Sequence, residues 1–264
     1  MADPRRLSLL MAAIGLLSAC GAEARDKPAL PAGADTAMID IACTGDVRQQ
    51  WALSDEILDG DWGWRCRFKA DNAAWGADHP AKAVFIGDSI TEGWGKADPA
   101  LFSDGTLNRG ISAQTSPQLV VRFWQDVVAL HPKVVHIMIG TNDIGGNTGL
   151  SSVADYQNAI RSMVTLAKAN GIAVVIGSIL PADHFNWRPE IKPAAQIVTL
   201  NQWLKDYAAA EGLVFADYHT AMATPAGALP KAYGEDGVHP NAAGYAVMRP
   251  IAEKALSDAL AQNP

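Results

Sequence analysis

The sequence predicts an α/β domain in which a parallel sheet is covered by helices on both faces. Three observations carry that prediction. Five short apolar runs recur between residues 83 and 215, closed by Gly, Pro or polar residues, as strands buried on both faces are. Longer segments with helical spacing separate them, and strands alternating with helices imply a parallel sheet in layers. Of the 264 residues, 49% are apolar, enough for one large core.

The N-terminus reads as a targeting segment. Arg5 and Arg6 form a basic start, and Leu7 to Leu17 is an apolar run too short to span a bilayer. It leads into Leu17-Ser18-Ala19-Cys20, which resembles the bacterial lipoprotein box. Residues 1–19 are thus expected to be a signal peptide, with Cys20 lipidated and the protein held in the cell envelope. Residues 20–45, rich in Ala, Pro, Gly and Asp, read as a flexible tether. Residues 46–80 read as a helical extension, packed on the main domain through Trp51, Leu53, Ile57, Trp62 and Trp64, with a loop from Ala73 to Pro80. With Cys20 lipidated, Cys43 and Cys66 remain and are expected to form a disulfide in an oxidising compartment.

The main domain is expected over 81–264. Ala83-Val84-Phe85-Ile86, closed by Gly87, is the first strand, and Leu107 to Ile111 the second. Ser116 caps a helix with Pro117 at its first position, running to about Leu130, with Val120, Val121, Phe123, Trp124 and Val127 as its apolar face. Val134 to Ile139 is the third strand, and Ser152 to Asn170 a helix that Gly171 ends. Ile172 to Leu180 is the fourth strand, stopped by Pro181. Pro193 to Glu211 is helical and ended by Gly212, Leu213 to Phe215 is the fifth strand, and Asn241 to about Ala261 the last helix.

Composition excludes several classes. The net charge is −7 with no basic run, which argues against nucleic-acid binding. No apolar stretch outside the N-terminus is long enough for a membrane span, so the lipid is the only expected membrane link. No Cys/His spacing suits a metal, and the glycines fit neither a Walker loop nor a dinucleotide fingerprint, so no cofactor and no metal is expected.

The chemistry sits where the strands end. In an open parallel sheet, functional residues lie at the carboxyl ends of the strands. Ser89 lies just past the first, at a helix start where backbone N–H groups and the helix dipole stabilise negative charge. Asp236 precedes His239 by three residues in a polar loop, so the carboxylate can aim at one ring nitrogen and leave the other to take a serine proton. Gly110 ends the second strand, where it can offer its N–H, and Asn142 follows the third, where it can offer its amide. Such donors make an oxyanion hole. Each of these pieces alone reads equally as a helix cap or turn, and their shared rim and order is what points to acyl transfer. Among the other histidines, His131 and His136 read as structural, and His184 is placed to line a pocket. Trp94, Phe185 and Trp187 could form a substrate-lining wall.

The four blocks Gly87-Asp88-Ser89, Asn108-Arg109-Gly110, Gly140-Thr141-Asn142-Asp143 and Asp236-Gly237-Val238-His239 resemble those of the SGNH hydrolase superfamily, the GDSL esterases and lipases, over about residues 81–261. Ile90 stands where many members have Leu. The resemblance implies a flavodoxin-like three-layer α/β/α fold with Ser89 as nucleophile, His239 as base and Asp236 orienting it. It also implies an oxyanion hole of Ser89 N–H, Gly110 N–H and the Asn142 side chain. The expected activity is a serine esterase acting on short acyl, above all acetyl, esters, with a small ester or acylated glycan as substrate. A lysophospholipase or thioesterase of longer acyl preference, and a non-catalytic glycan-binding envelope protein, are the other readings.

Overall fold

A computed structural model describes Met38 and residues 61–76, 79–149 and 151–262. Five strands, β1 (Ala83–Gly87), β2 (Thr106–Gly110), β3 (Val134–Met138), β4 (Ala173–Gly177) and β5 (Val214–Ala216), form one sheet in the order β2-β1-β3-β4-β5. Every pairing is parallel. Alternation within β1 sends Val84 and Ile86 to one face and Ala83 and Phe85 to the other. The first face is covered by α3 (Ser116–Asp126), α5 (Val153–Ala169) and α6 (Ala194–Glu211), and the second by α2 (Ser89–Ala97), α7 (Tyr218–Met222) and α8 (Ala242–Gln262). Two short helices, α1 (Lys69–Trp75) and α4 (Thr141–Ile144), complete the three-layer α/β/α arrangement.

Local chemistry explains the boundaries. Ser152 and Asp155 form a reciprocal capping box at the start of α5, and Gly171 follows its C-cap with a φ of 69°. Gly212 ends α6 in the left-handed conformation. The helix expected from Ser116 to Leu130 is shorter: α3 stops at Asp126 and a 3-10 turn spans Val128–Leu130. Its cap is Thr115, boxed with Gln118, because the Ser116 hydroxyl donates instead to Asp143 at 2.5 Å.

The inward face of α3 also differs from expectation. Val121 and Trp124 are 46% and 57% exposed, while Arg122 and Asp126 are fully buried beside Leu119 and Phe123. Arg122 pairs with Asp126 at 3.1 Å and also donates to Gln114 Oε1 and the Gly87 carbonyl. A buried guanidinium persists only when its many donors find acceptors, as they do here.

Among the described residues of the extension, Phe68 is buried and Trp75 packs on the core, while Trp62 and Trp64 do not turn inward as expected. Trp62 and Trp64 are 40% and 52% exposed. The carbonyls of Trp62 and Gly63 instead accept from Gln118 and Gln114, and Asn72 of α1 donates to Asp126. Helix α1 occupies part of what reads as the Ala73–Pro80 loop. Trp51, Leu53, Ile57, Cys20 and Cys43 lie outside the described residues. Cys66 is exposed and a free cysteine, and its expected partner, Cys43, is among the residues outside the described ones.

Candidate active site

The chain leaves β1 toward β2 and later returns to β3 on the other side, so the carboxyl ends of β1 and β3 flank the crevice expected at a switch in strand order. Gly87 closes β1 there. A Cβ at Gly87 would lie 2.2 Å from Thr91 Oγ1 and 2.4 Å from the Met138 carbonyl, so only glycine lets α2 start this close to β3. Asp88 caps α2 by accepting the Ile90 N–H at 2.9 Å. Ser89 is the first helical residue, where the N–H has no acceptor within the helix.

The loop before α8 delivers the partners. Ser89 Oγ lies 2.9 Å from His239 Nε2, and His239 Nδ1 lies 2.6 Å from Asp236 Oδ2. Asp236 Oδ1 accepts the N–H groups of Val238 and His239 at 2.9 and 2.8 Å. Burial pushes the Asp236 carboxyl up, but hydrogen bonds from the His239 ring and these backbone groups outweigh it and hold it below its ordinary value. With Nδ1–H donating to a carboxylate, Nε2 is left to accept the serine proton.

Asn142 is anchored at both ends of its amide. Its Oδ1 accepts from Asn147 at 2.7 Å, and its Nδ2 donates to the Gln114 carbonyl at 3.0 Å. The same Nδ2 approaches Asp88 Oδ2 at a longer 3.4 Å, the weaker contact and the one that an oxyanion can replace. Burial raises the Asp88 and Asp143 carboxyls to about 7 and about 6.

Gly110 departs from its expected part. Its N–H already donates to Asn108 Oδ1 at 2.8 Å, while Asn108 Nδ2 donates to the Thr91 carbonyl. A Cβ there would meet the Glu92 nitrogen at 2.2 Å. Gly110 therefore permits close packing of α2 on β2 and has no N–H to spare. Three residues on, Ala113 adopts a φ of 65°, and its N–H has no acceptor among the described residues. Left-handed backbone is costly for any residue with a Cβ, and such strain gathers at functional sites. Nothing in the run Ser112-Ala113-Gln114 signalled this conformation.

The aromatic wall is reduced to one residue. Trp94 is fully buried, because Ile90 and Trp94 make the inward stripe of α2, and it packs on Phe85 and Tyr245. Phe185 is also fully buried. Trp187 stacks on Phe185, donates to Asn147 Oδ1 at 3.1 Å and places its ring 6.4 Å from that of His239. His184 does reach this rim: a Cβ on Gly237 would lie 2.7 Å from its ring. His136 is buried in β3 against the Tyr218 hydroxyl, a structural placement, and burial lowers it to about 3. A separate concavity lined by His131, Lys133 and Asn170 lies at the opposite, amino-terminal rim of the sheet. Among the described residues no group of His, Cys, Asp and Glu could hold a metal ion, and no helix is long and apolar enough to cross a membrane.

A hydroxyl on an imidazole, a carboxylate behind it and amide donors beside it are what nucleophilic attack on an ester carbonyl requires. Comparison with known proteins agrees. The sequence pattern of the GDSL-like lipase/acylhydrolase family matches residues 85–247. A Bacteroides fragilis protein assigned as an acylhydrolase is 43% identical, with a TM-score of 0.73 over 76% of this chain and 99% of that one. A GDSL-like lipase of Bacteroides thetaiotaomicron is 40% identical, with a TM-score of 0.72 over 75% of this chain and 100% of that one. An acetylxylan esterase of Geobacillus stearothermophilus is 29% identical over 203 residues, 63% of this chain and 90% of that protein.

Proposed function

The chain belongs to the GDSL-like lipase/acylhydrolase family and is a serine ester hydrolase, and on that premise we propose that it removes short acyl groups, acetyl above all, from carbohydrate hydroxyls. The observation that carries the mechanism is the relay from Ser89 through His239 to Asp236, at 2.9 and 2.6 Å. Ser89 Oγ attacks the carbonyl carbon as its proton passes to His239 Nε2. The oxyanion is met by the N–H groups of Ser89 and Ala113 and by Asn142 Nδ2. Collapse expels the alcohol, which takes the proton from His239. Water, deprotonated by His239, then attacks the acyl-enzyme and releases the acid with Ser89 restored.

The short-acyl preference is supported by the burial of Trp94 and Phe185, which removes two of three candidates for an apolar acyl wall. The carbohydrate alcohol is supported by the acetylxylan esterase relative and by Trp187 beside His239. The test is hydrolysis of a p-nitrophenyl ester series together with acetylated xylo-oligosaccharides. The reading expects activity to peak at acetyl and to extend to the glycans; a peak at long chains overturns it. A fluorophosphonate probe should label the wild type and not Ser89→Ala.

The same reading sets the enzyme in the cell envelope, held by a lipid on Cys20. It rests on the basic start, the apolar run and the Leu17-Ser18-Ala19-Cys20 box. Incorporation of a palmitate analogue should be lost in Cys20→Ala.

A further inference from the structure

Gln114 is 1% exposed, and both ends of its side chain are engaged. Its Oε1 accepts from Arg122 Nε at 2.7 Å, and its Nε2 donates to the Gly63 carbonyl at 3.1 Å. Its own carbonyl is the acceptor that fixes Asn142 Nδ2. The same Arg122 guanidinium donates to the carbonyl of Gly87, two residues before Ser89, and is clamped by Asp126. One buried cation thus touches both the strand end that leads to the nucleophile and the side chain of the residue whose carbonyl anchors the oxyanion amide.

We propose that Gln114 is a positioning residue for the oxyanion hole, acting through Asn142, and that it ties the segment around Gly63 to catalysis. The proposal rests on the assignment of Asn142 as an oxyanion donor. The Ile111–Gln114 turn shows why a side chain is needed there. Ser112 and Ala113 are exposed, and Ala113 is in a left-handed conformation. At the outer end, Glu92 accepts from Ser112. At the inner end, Gln114 binds Arg122 on one side and the chain upstream of the family match on the other. Without that inner hold, the Gln114 carbonyl is free to drift and Asn142 loses one of the two short bonds that set its amide, keeping only the one from Asn147. Catalytic geometry of this kind is sensitive to displacements of about 1 Å.

The test is a double-mutant cycle of Gln114→Ala with Asn142→Ala, read as kcat and KM on an acetyl ester, with thermal melting for each variant. Removing an oxyanion donor outright costs about 100- to 1,000-fold in kcat, so Asn142→Ala is expected in that range. Gln114→Ala is expected to lower kcat about 10- to 100-fold with KM within about twofold, since only the transition state uses the displaced donor. In the Asn142→Ala background the same change should cost less than about threefold. Gln114→Glu keeps an acceptor for Arg122 but loses the donor to the Gly63 carbonyl, so it should recover only part of the loss and leave kcat about 5- to 10-fold below wild type. If Gln114→Ala does not fold, Gln114→Met, of similar length but without either polar group, takes its place. Full activity in the Ala or Met variant, or losses that multiply in the double mutant, overturns the proposal. No kcat loss in Asn142→Ala alone would instead overturn the oxyanion assignment beneath it.

Discussion

Two Asp–His pairs lie side by side on the rim of this protein, and they differ in little but their surroundings. Asp236–His239 and Asp183–His184 each place a carboxylate oxygen 2.6 Å from Nδ1. Their side chains are similarly exposed, at 43% and 42% in the first pair and 48% and 45% in the second. In the first, Asp236 also accepts two backbone N–H groups, and Nε2 meets a hydroxyl at a helix start. In the second, the ring lies against Gly237, and no hydroxyl is hydrogen-bonded to its Nε2 among the described residues. A short Asp–His contact therefore fixes a tautomer and no more. A reactive centre also needs the carboxylate locked by its own loop and a nucleophile on the free nitrogen.

The strongest way to break the comparison is to disable the first pair. Ser89→Ala and His239→Ala are expected to lower kcat on the order of 10⁵- to 10⁶-fold, since triad members act as a unit. Asp236→Asn should cost about 10⁴-fold. The Asn oxygen can still accept from Val238 and His239, but its NH2 then faces Nδ1 and forces the proton onto Nε2. Steady-state hydrolysis of p-nitrophenyl acetate measures all three. Residual activity within tenfold of wild type in any of them would remove that residue from the mechanism.

Gly237 joins the two pairs and gives the next effect. It holds a φ of 78°, and its would-be Cβ meets the His184 ring at 2.7 Å. Gly237→Ala carries the left-handed cost of about 1–2 kcal/mol together with the clash. We expect a melting temperature lower by about 3–8 °C. Adding His184→Ala should restore the steric part and leave the backbone part. If the double variant melts no higher than Gly237→Ala, the ring is not what the methyl strikes.

A smaller effect is visible in acid. Asp236 is held below its ordinary value of 3.8. A lowered carboxyl stabilises the fold above its unfolded value, and that stability is lost as pH falls through the folded value. Asp236→Asn lacks this term, so the urea midpoints of wild type and variant should converge between about pH 5 and about pH 2. A constant difference across that range would mean that the hydrogen bonds do not favour the ionised form.

These contrasts also explain what the sequence made legible. The strands could be read because apolar runs end in Gly or Pro, and Ser89, Asp236 and His239 because few residue types perform their chemistry. Orientation was harder. Trp94 sits five positions after Ser89, close enough to suggest a wall, yet the stripe it shares with Ile90 turns it into the core. Hydropathy assigned Val121 and Trp124 to the inside of α3, because a buried Arg122–Asp126 pair has no apolar signature. In the sequence Gly110 reads as a donor because glycine allows close approach. The approach is real, but it is that of the α2 backbone, and the Asn108 side chain takes the N–H.

The smallest expected effect is the sharpest control. Asp183→Asn and His184→Ala alter a pair with the same hydrogen bond as the reactive one, on the same rim. His184 meets the Asp236–His239 loop at Gly237, and the loop is also held by the Val238 and His239 N–H groups on Asp236. Asn186 adds a bond from its amide to the Asp236 carbonyl at 3.2 Å that neither substitution removes. Each variant should therefore keep kcat on p-nitrophenyl acetate within about twofold, as exposed substitutions away from the reacting atoms do. If either instead matched the loss in Asp236→Asn, the second pair would belong to the reaction, and the contrast with Asp236–His239 would fail.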